Sequence, residues 1–229
     1  METSCVRGDR RISWSSDDRR NWIFGGVGAD GRLVHRMDGA DKGLASSRPA
    51  CRGGRYNLVH VPTANALPYG IVVNSSGVPF FAEFGTNKLA SIDPKTMEIH
   101  EYPLPNAGSR PRRIAITSDG AVWYPDYARG YLGRFDPQAS TVREWPSPGG
   151  ANSGPYGIAT LGDVVWYSES GVKPNTLVRF DPRTEKFESW TIPSGGGVVR
   201  NMATTRDGKL VLACSGVDRI ALVDVHQHE

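Results

Sequence analysis

Residues 130–148 read GYLGRFDPQASTVREWPSP, and the phrase recurs as NKLASIDPKTMEIHEYPLP at 87–105 and NTLVRFDPRTEKFESWTIP at 175–193. Each copy runs from an apolar strand through Asp-Pro into a second strand, then on to a proline. The markers keep step. Ile71, Ile114, Ile158 and Met202 stand 43, 44 and 44 residues apart, and Pro62, Pro105, Pro148 and Pro193 stand 43, 43 and 45 apart. Asp93, Asp136 and Asp181 follow at 43 and 45. A strand-rich period of this size predicts a β-propeller with one four-stranded blade per repeat.

The copy from Pro111 to Pro148 can be read strand by strand. RRIAIT is a short alternating run. Asp119 and Gly120 supply a hairpin turn. AVWY is rich in β-branched and aromatic residues, as a second strand should be. YLGRF is the third strand. Asp136-Pro137 places Asp and Pro where a type I turn wants them, and TVREW is the fourth strand. Ala115, Ala159 and Ala203 are small, as crowding near a propeller axis demands. Phe80, Trp123 and Trp166 keep register and would fill the space between blades. No stretch has a helical period, so the fold class is all-β.

The N-terminal part is less regular. Leu44-Ala45-Ser46 echoes Leu89-Ala90-Ser91, and YNLVHVP matches the fourth-strand phrase. Residues 22–62 thus form a degenerate copy ahead of copies at 63–105, 106–148, 149–193 and 194–225, and residues 1–21 are expected to be a disordered tail. At 229 residues the chain holds about four to five blades of this size, a small or incomplete ring. The last copy stops after its third strand, Arg219 to Val225. Its fourth strand could come from Arg55–Val61, which closes a four-bladed ring over 55–225. Asn21–Phe24 could instead close a five-bladed ring, or the chain is a truncated copy of something longer. An unclosed ring would leave an edge and an apolar flank open to self-association.

Composition narrows the function. The net charge is +3 with basic residues spread out, which argues against nucleic acid as a partner. Cys5, Cys51 and Cys214 are scattered and form neither a disulfide framework nor a zinc site; Cys214 reads as a core residue. No apolar run reaches membrane-spanning length, so no membrane partner is expected. The first residues lack an apolar signal core, which points to the cytoplasm.

Two sets of positions recur where the repeats should face the hub. One follows the second strand, as Glu83, Asp126 and Glu169, with Cys214 in the fourth copy. The other precedes the innermost strand, as Tyr69, Arg112, Tyr156 and Arg200. Carboxylates gathered at a channel mouth can hold a divalent cation or act as a general base when burial raises their pKa. Repeated residues can equally be structural, since every blade needs the same turn.

The phrases PYGI, WYSE, NTLVRFDP and FESWTIP resemble the repeat of the virginiamycin B lyase (streptogramin lyase) family, over roughly residues 55–225. That repeat runs P-x-G-I, then D-G-x-[LV]-W-[FY]-x-E, then N-x-I-x-R-[IF]-[DT]-P. The resemblance implies a propeller, of seven blades in that family, and a magnesium-dependent elimination at an ester of a cyclic depsipeptide. It implies catalytic roles for Glu83, Asp126 and Glu169, with Glu83 and Glu169 as magnesium ligands. The family's His, in a P-H-x-I phrase, is replaced here by Tyr69, Arg112, Tyr156 and Arg200, which are left to bind substrate. His35, His60, His100, His226 and His228 lie elsewhere in the pattern. Arg cannot serve as the base that elimination needs. The alternatives to a C–O lyase are a non-catalytic propeller that binds a small molecule or peptide, or an inactive truncated relative.

Overall fold

The computed structural model describes residues 58–225. The expected tail at 1–21, Asn21–Phe24, residues 22–57 of the degenerate copy, Cys5, Cys51, His35, His226 and His228 lie outside the described residues. Four antiparallel sheets follow one another along the chain as propeller blades. Blade 1 holds β1 (Pro68–Val73), β2 (Pro79–Glu83), β3 (Lys88–Ile92) and β4 (Ile99–Pro103). Blade 2 holds β5 (Ala115–Ile116), β6 (Val122–Asp126), β7 (Tyr131–Asp136) and β8 (Thr141–Pro146). Blade 3 holds β9 (Pro155–Leu161), β10 (Val164–Glu169), β11 (Thr176–Asp181) and β12 (Lys186–Thr191). Blade 4 holds β13 (Val199–Thr204), β14 (Leu210–Cys214) and β15 (Arg219–Val223), and its outer edge is unpaired among the described residues. One short 3-10 turn, Ser215–Val217, is the sole helical piece among the described residues. None of their helices is long and apolar enough to cross a membrane.

The turns follow from local chemistry. The Asp93 carboxylate accepts the backbone N–H of Lys95 and Thr96, and Asp136 does the same for Gln138 and Ala139. Asp181 accepts from Arg183. These side chains close the turn that Pro pre-sets, and the last turn residue then swings left-handed, at Met97, Ser140 and Glu185 with φ of 63°, 52° and 55°.

Packing between blades repeats as well. Phe80 of blade 1 joins Val122, Tyr124 and Phe135 of blade 2 in one buried cluster. Trp123 of blade 2 joins Ile158, Val165 and Phe180 of blade 3. Trp166 of blade 3 joins Leu210, Leu212 and Cys214 of blade 4. The aromatic register therefore fills the inter-blade space, and Cys214 is a core residue. Two of the three alanines have a second reason to be small, while Ala203 faces Val211. Ala115 and Ala159 sit directly opposite Trp123 and Trp166 across the sheet, where a small side chain leaves room for the indole.

The ring is open among the described residues. Inner strands β9 and β13 pack closely, whereas β13 and β1 make no comparable contact, and no buried cluster joins blade 4 to blade 1. Leu58–Val61 carry no strand. Val61 is instead buried against Phe81, Ala90 and Ile92 on the free face of blade 1. The four-bladed closure through Arg55–Val61 is thus not formed by the described part of that segment.

The inner strand of blade 2 is shorter than RRIAIT suggests. Only Ala115–Ile116 pair regularly, with an isolated bridge from Pro111 to Asp126. Blades 1 and 3 place Gly70 and Gly157 at the position where blade 2 has Arg113. Gly70 lets the backbone come within hydrogen-bond reach of the next blade, its N–H donating to the Arg112 carbonyl at 2.9 Å. Arg113 turns its side chain across the hub and donates from Nε to the Arg200 carbonyl at 3.1 Å.

Candidate functional site

Each recurring acid ends the second strand of its blade and is buried, with Glu83 and Asp126 at 0% and Glu169 at 1% exposure. A buried carboxylate must be bonded or neutralised, and the three solve this separately. Glu169 accepts from Ser147 Oγ at 2.5 Å and the Gly149 N–H at 2.7 Å through Oε1, and from Thr176 Oγ1 at 2.6 Å through Oε2. Asp126 accepts from the Arg110 N–H at 2.9 Å and from Arg129 Nη1 at 3.1 Å. Arg129 also reaches Glu144 at 2.9 Å. Ser147 and Gly149 lie in the connection from blade 2 to blade 3, and Arg110 in that from blade 1 to blade 2. Glu169 and Asp126 therefore tie down the loop that enters their own blade.

Glu83 differs because its loop does. The repeat position held by Ser147 is Val61 ahead of blade 1, which offers no hydroxyl. Glu83 Oε2 accepts from Thr86 Oγ1 at 2.8 Å, and its Oε1 is buried without a partner. Burial, above all, pushes the Glu83 carboxyl up to about 7, with nearby Glu101 adding to the rise.

A pH dependence follows. The folded value of about 7 lies above the unfolded value of about 4.3, so the fold favours the protonated acid. That contribution is complete below the unfolded value and disappears as pH rises through about 7. Glu83→Gln, neutral throughout, should match the parent's thermal midpoint at about pH 5 and exceed it by a few degrees at about pH 8. Calorimetry at both pH values checks this. A midpoint below the parent's at the higher pH would show that the ionised acid is stabilising.

Magnesium needs a near-octahedral set of oxygens, one or two from carboxylates and the rest from water or substrate. The acids do not fit it. Both oxygens of Glu169 and of Asp126 are committed to protein donors, and Glu83 has no exposed surface. Among the described residues no group of three or more His, Cys, Asp or Glu is placed to hold a metal.

What does converge at the hub is aromatic and cationic. The Arg112 guanidinium carbon stands 3.9 Å from the ring centre of Tyr127, 4.2 Å from Phe84, 4.6 Å from Tyr156 and 5.9 Å from Tyr69. Phe84 and Tyr69 come from blade 1, Arg112 and Tyr127 from blade 2, and Tyr156 from blade 3. The Tyr69 and Tyr156 hydroxyls share a hydrogen bond of 2.5 Å, and their rings lie 6.3 Å apart. Burial and then that hydrogen bond raise the Tyr69 pKa, so its phenol stays protonated and is no base. Arg113 adds a second guanidinium 4.9 Å from the Tyr69 ring. Contacts of this kind hold a cation by the ring quadrupole, about 0.5–2 kcal/mol each. They cover its faces and leave the N–H edge to other partners. The Arg112 Nε is buried and finds no acceptor.

Of the hub residues expected from the repeat, Tyr69, Arg112 and Tyr156 come together. Arg200 is exposed and joins only through its carbonyl. Phe84 and Tyr127 were not expected. Each directly follows a recurring acid, Glu83 or Asp126, so extending the repeat comparison by one position would have marked them.

The family model described as the Virginiamycin B lyase family matches residues 46–228. No curated protein matches the chain. Among solved structures, a catalytically inactive His-to-Ala variant of virginiamycin B lyase from Staphylococcus aureus with quinupristin is similar, at 21% identity and a TM-score of 0.64. The match covers 90% of this chain and 64% of that one. A streptogramin B lyase structure is similar at 20% identity and a TM-score of 0.64, covering 90% of this chain and 62% of that one. Hydrazine synthase from Kuenenia stuttgartiensis follows at 19% identity and a TM-score of 0.61, with 77% of this chain and 50% of that one covered. At these identities the likeness is one of fold. The chain spans about 64% of the length of the first of these structures.

Proposed function

The chain belongs to the virginiamycin B lyase family, and from that premise we propose that it is a binding propeller whose hub holds an anionic small molecule or peptide. The observation that carries this is Arg112. Four rings enclose its guanidinium, yet the buried Nε lacks an acceptor. A guanidinium held by its faces is pre-organised to present its donors in a fixed fork, the geometry that carboxylates match. The surrounding rings supply the apolar body of a ligand site. Glu83, Asp126 and Glu169 are buried and do not oppose a negative ligand at the surface.

Lyase chemistry is the second reading, and one observation favours it: the Glu83 carboxyl sits at about 7, where a general base operates well. Its burial argues against reach to a substrate proton, and the repeat offers no His in support. Thermal shift with N-acyl amino acids and short linear or cyclic peptides tests the binding proposal. Carboxylate-bearing compounds should raise the midpoint, and their methyl esters should not. Arg112→Gln should weaken the response at least about tenfold, the order expected when a charge-assisted hydrogen bond is lost. Equal binding of acids and esters would overturn it. Conversion of a depsipeptide ester, abolished in Glu83→Gln, would establish the lyase instead.

A further inference from the structure

A cleft of about 440 Å³ opens between blades 2 and 3, a volume suited to a small molecule. It lies away from the hub. The β5–β6 turn lines it through Asp119, whereas Tyr127 of the hub follows the far end of β6. Two clamps across the blades hold it open. At one end Asp163, in the β9–β10 turn, accepts the N–H and the hydroxyl of Ser118, each at 2.8 Å. At the other, Glu185 of the β11–β12 turn accepts from Arg143 at 2.7 Å and from Trp145 Nε1 at 3.2 Å. Trp145 is half-buried and stacks on buried Trp123, with ring centres 5.7 Å apart. Arg134, Arg143 and Arg183 complete the wall. The repeat does not demand these residues. The junction of blades 1 and 2 carries Ser91, His100, Tyr102 and Gln138 where this one carries Arg134, Arg143, Trp145 and Arg183. There Tyr102 packs on Phe135 at 4.7 Å, and its hydroxyl bonds Ser91 Oγ at 3.0 Å. Blades therefore meet soundly without an indole and three guanidiniums.

The chemistry of the wall selects the ligand. Arg134 pairs with Asp119 at 2.7 Å and stands 3.7 Å from Asp136. The Arg183 side chain is 87% exposed and meets only Asp181, at 3.7 Å. Three guanidiniums thus stand among five carboxylates in and beside the cleft, those of Asp119, Asp136, Asp163, Asp181 and Glu185. An anion would be repelled by the acids and a cation by the guanidiniums, so neither kind of ion is favoured. A hydroxyl is different. It donates one hydrogen bond and accepts others, so it can bridge an Arg N–H and a carboxylate lone pair that the existing bonds leave over. Neighbouring hydroxyls on a ring match the planar forks of Arg and Asp in the same way. The negative face of an indole attracts the polarised C–H groups of a saturated ring. Arg143 lies 4.9 Å from the Trp145 ring centre, but it is mostly exposed and tied only to Glu185, so it can swing aside. We propose that this cleft binds a neutral hexopyranose, free or at the end of a glycan. The sugar lies on Trp145, with its hydroxyls between Arg134, Arg183 and Asp163. The site is separate from the hub, and a carboxylate ligand held there does not compete for it.

The test uses the full chain, isotope-labelled for NMR. The indole N–H signal of Trp145, assigned by its loss in Trp145→Phe, is followed as methyl glucoside, galactoside and mannoside are added to about 50 mM, ample for the millimolar affinity of a single ring. At least one of them should shift it saturably. Arg183→Ala, a surface change, should weaken that binding about tenfold, as loss of a hydrogen bond to a charged group does. Lys95→Ala, at the same repeat position in blade 1, should bind as the parent does. Trisaccharides of the same sugar distinguish the two sources. Equal affinity identifies a free sugar and tighter binding a glycan end, and both sustain the proposal. No shift at Trp145 with any of the neutral hexosides, or a response to the uronic acids alone, would overturn it. So would an Arg183→Ala variant that binds as tightly as the parent.

Discussion

Glu169→Ala is expected to cost about 3–5 kcal/mol of stability, whether or not magnesium is present. The carboxylate is 1% exposed and takes three hydrogen bonds, from Ser147, Gly149 and Thr176. Ser147 and Gly149 enter blade 3 ahead of β9, and Thr176 opens β11. The acid thus joins the entry loop to the outer half of the sheet. Truncation removes the acceptor shared by the Ser147 hydroxyl and the Gly149 N–H, leaving buried Ser147 with the Tyr167 hydroxyl at 2.7 Å, and it breaks all three bonds at once, so the penalty exceeds that of one exposed bond. For a domain of this size the thermal midpoint should fall by about 10–15 °C. Glu169→Gln keeps one acceptor oxygen and should lose roughly half as much. Millimolar magnesium should move neither variant nor parent. A parent stabilised by magnesium, together with a Glu169→Ala variant that is stable but blind to the ion, would make Glu169 a metal ligand and reverse the assignment.

The blades were legible because what specifies them is local. Alternation, the Asp-Pro turn and the aromatic register each act within a few residues. The short β5 was legible only in part. RRIAIT has the right alternation, but Arg113 sits where close approach to the next blade needs Gly. The acids show why recurrence does not reveal role. Glu83 and Glu169 match in the repeat, yet Glu169 meets Ser147 where Glu83 meets Val61, and only Glu83 keeps a bare oxygen. That distinction lies in the loop entering each blade, more than twenty residues upstream of the acid. The hub was legible to the extent that PYGI and PRRI share a phase. That Phe84 and Tyr127 join Tyr69 and Tyr156 around Arg112 depends on how three blades meet, which no single repeat encodes.

Gly70→Ala should be the most damaging small substitution at the hub, and it should remove binding along with stability. A Cβ at residue 70 would lie 2.6 Å from the Arg112 carbonyl oxygen and 2.7 Å from the Arg113 Cα. Both are backbone atoms, so no side chain can swing aside. The methyl must push blade 2's entry strand away, which breaks the 2.9 Å bond from the Gly70 N–H to Arg112 and draws the guanidinium out of its rings. Overpacking of this kind costs about 2–4 kcal/mol. Gly157 is the matched comparison. Its added Cβ would meet the Val199 carbonyl at 3.0 Å and the Met202 Cγ at 3.1 Å, and the Met side chain can yield. Gly157→Ala should therefore cost less, and leave Arg112 in place. Gly77 is the outer control, since it has φ of 80° and open space around it, so Ala there costs only turn strain of about 1 kcal/mol. Urea unfolding of the three variants should rank Gly70 first, and thermal shift with carboxylate ligands should fail for Gly70→Ala alone. If Gly157→Ala proves the costlier, the tight contact between blades 1 and 2 does not hold the hub together. If Gly70→Ala still binds as the parent does, the placement of Arg112 among its four rings is not what recognises the ligand.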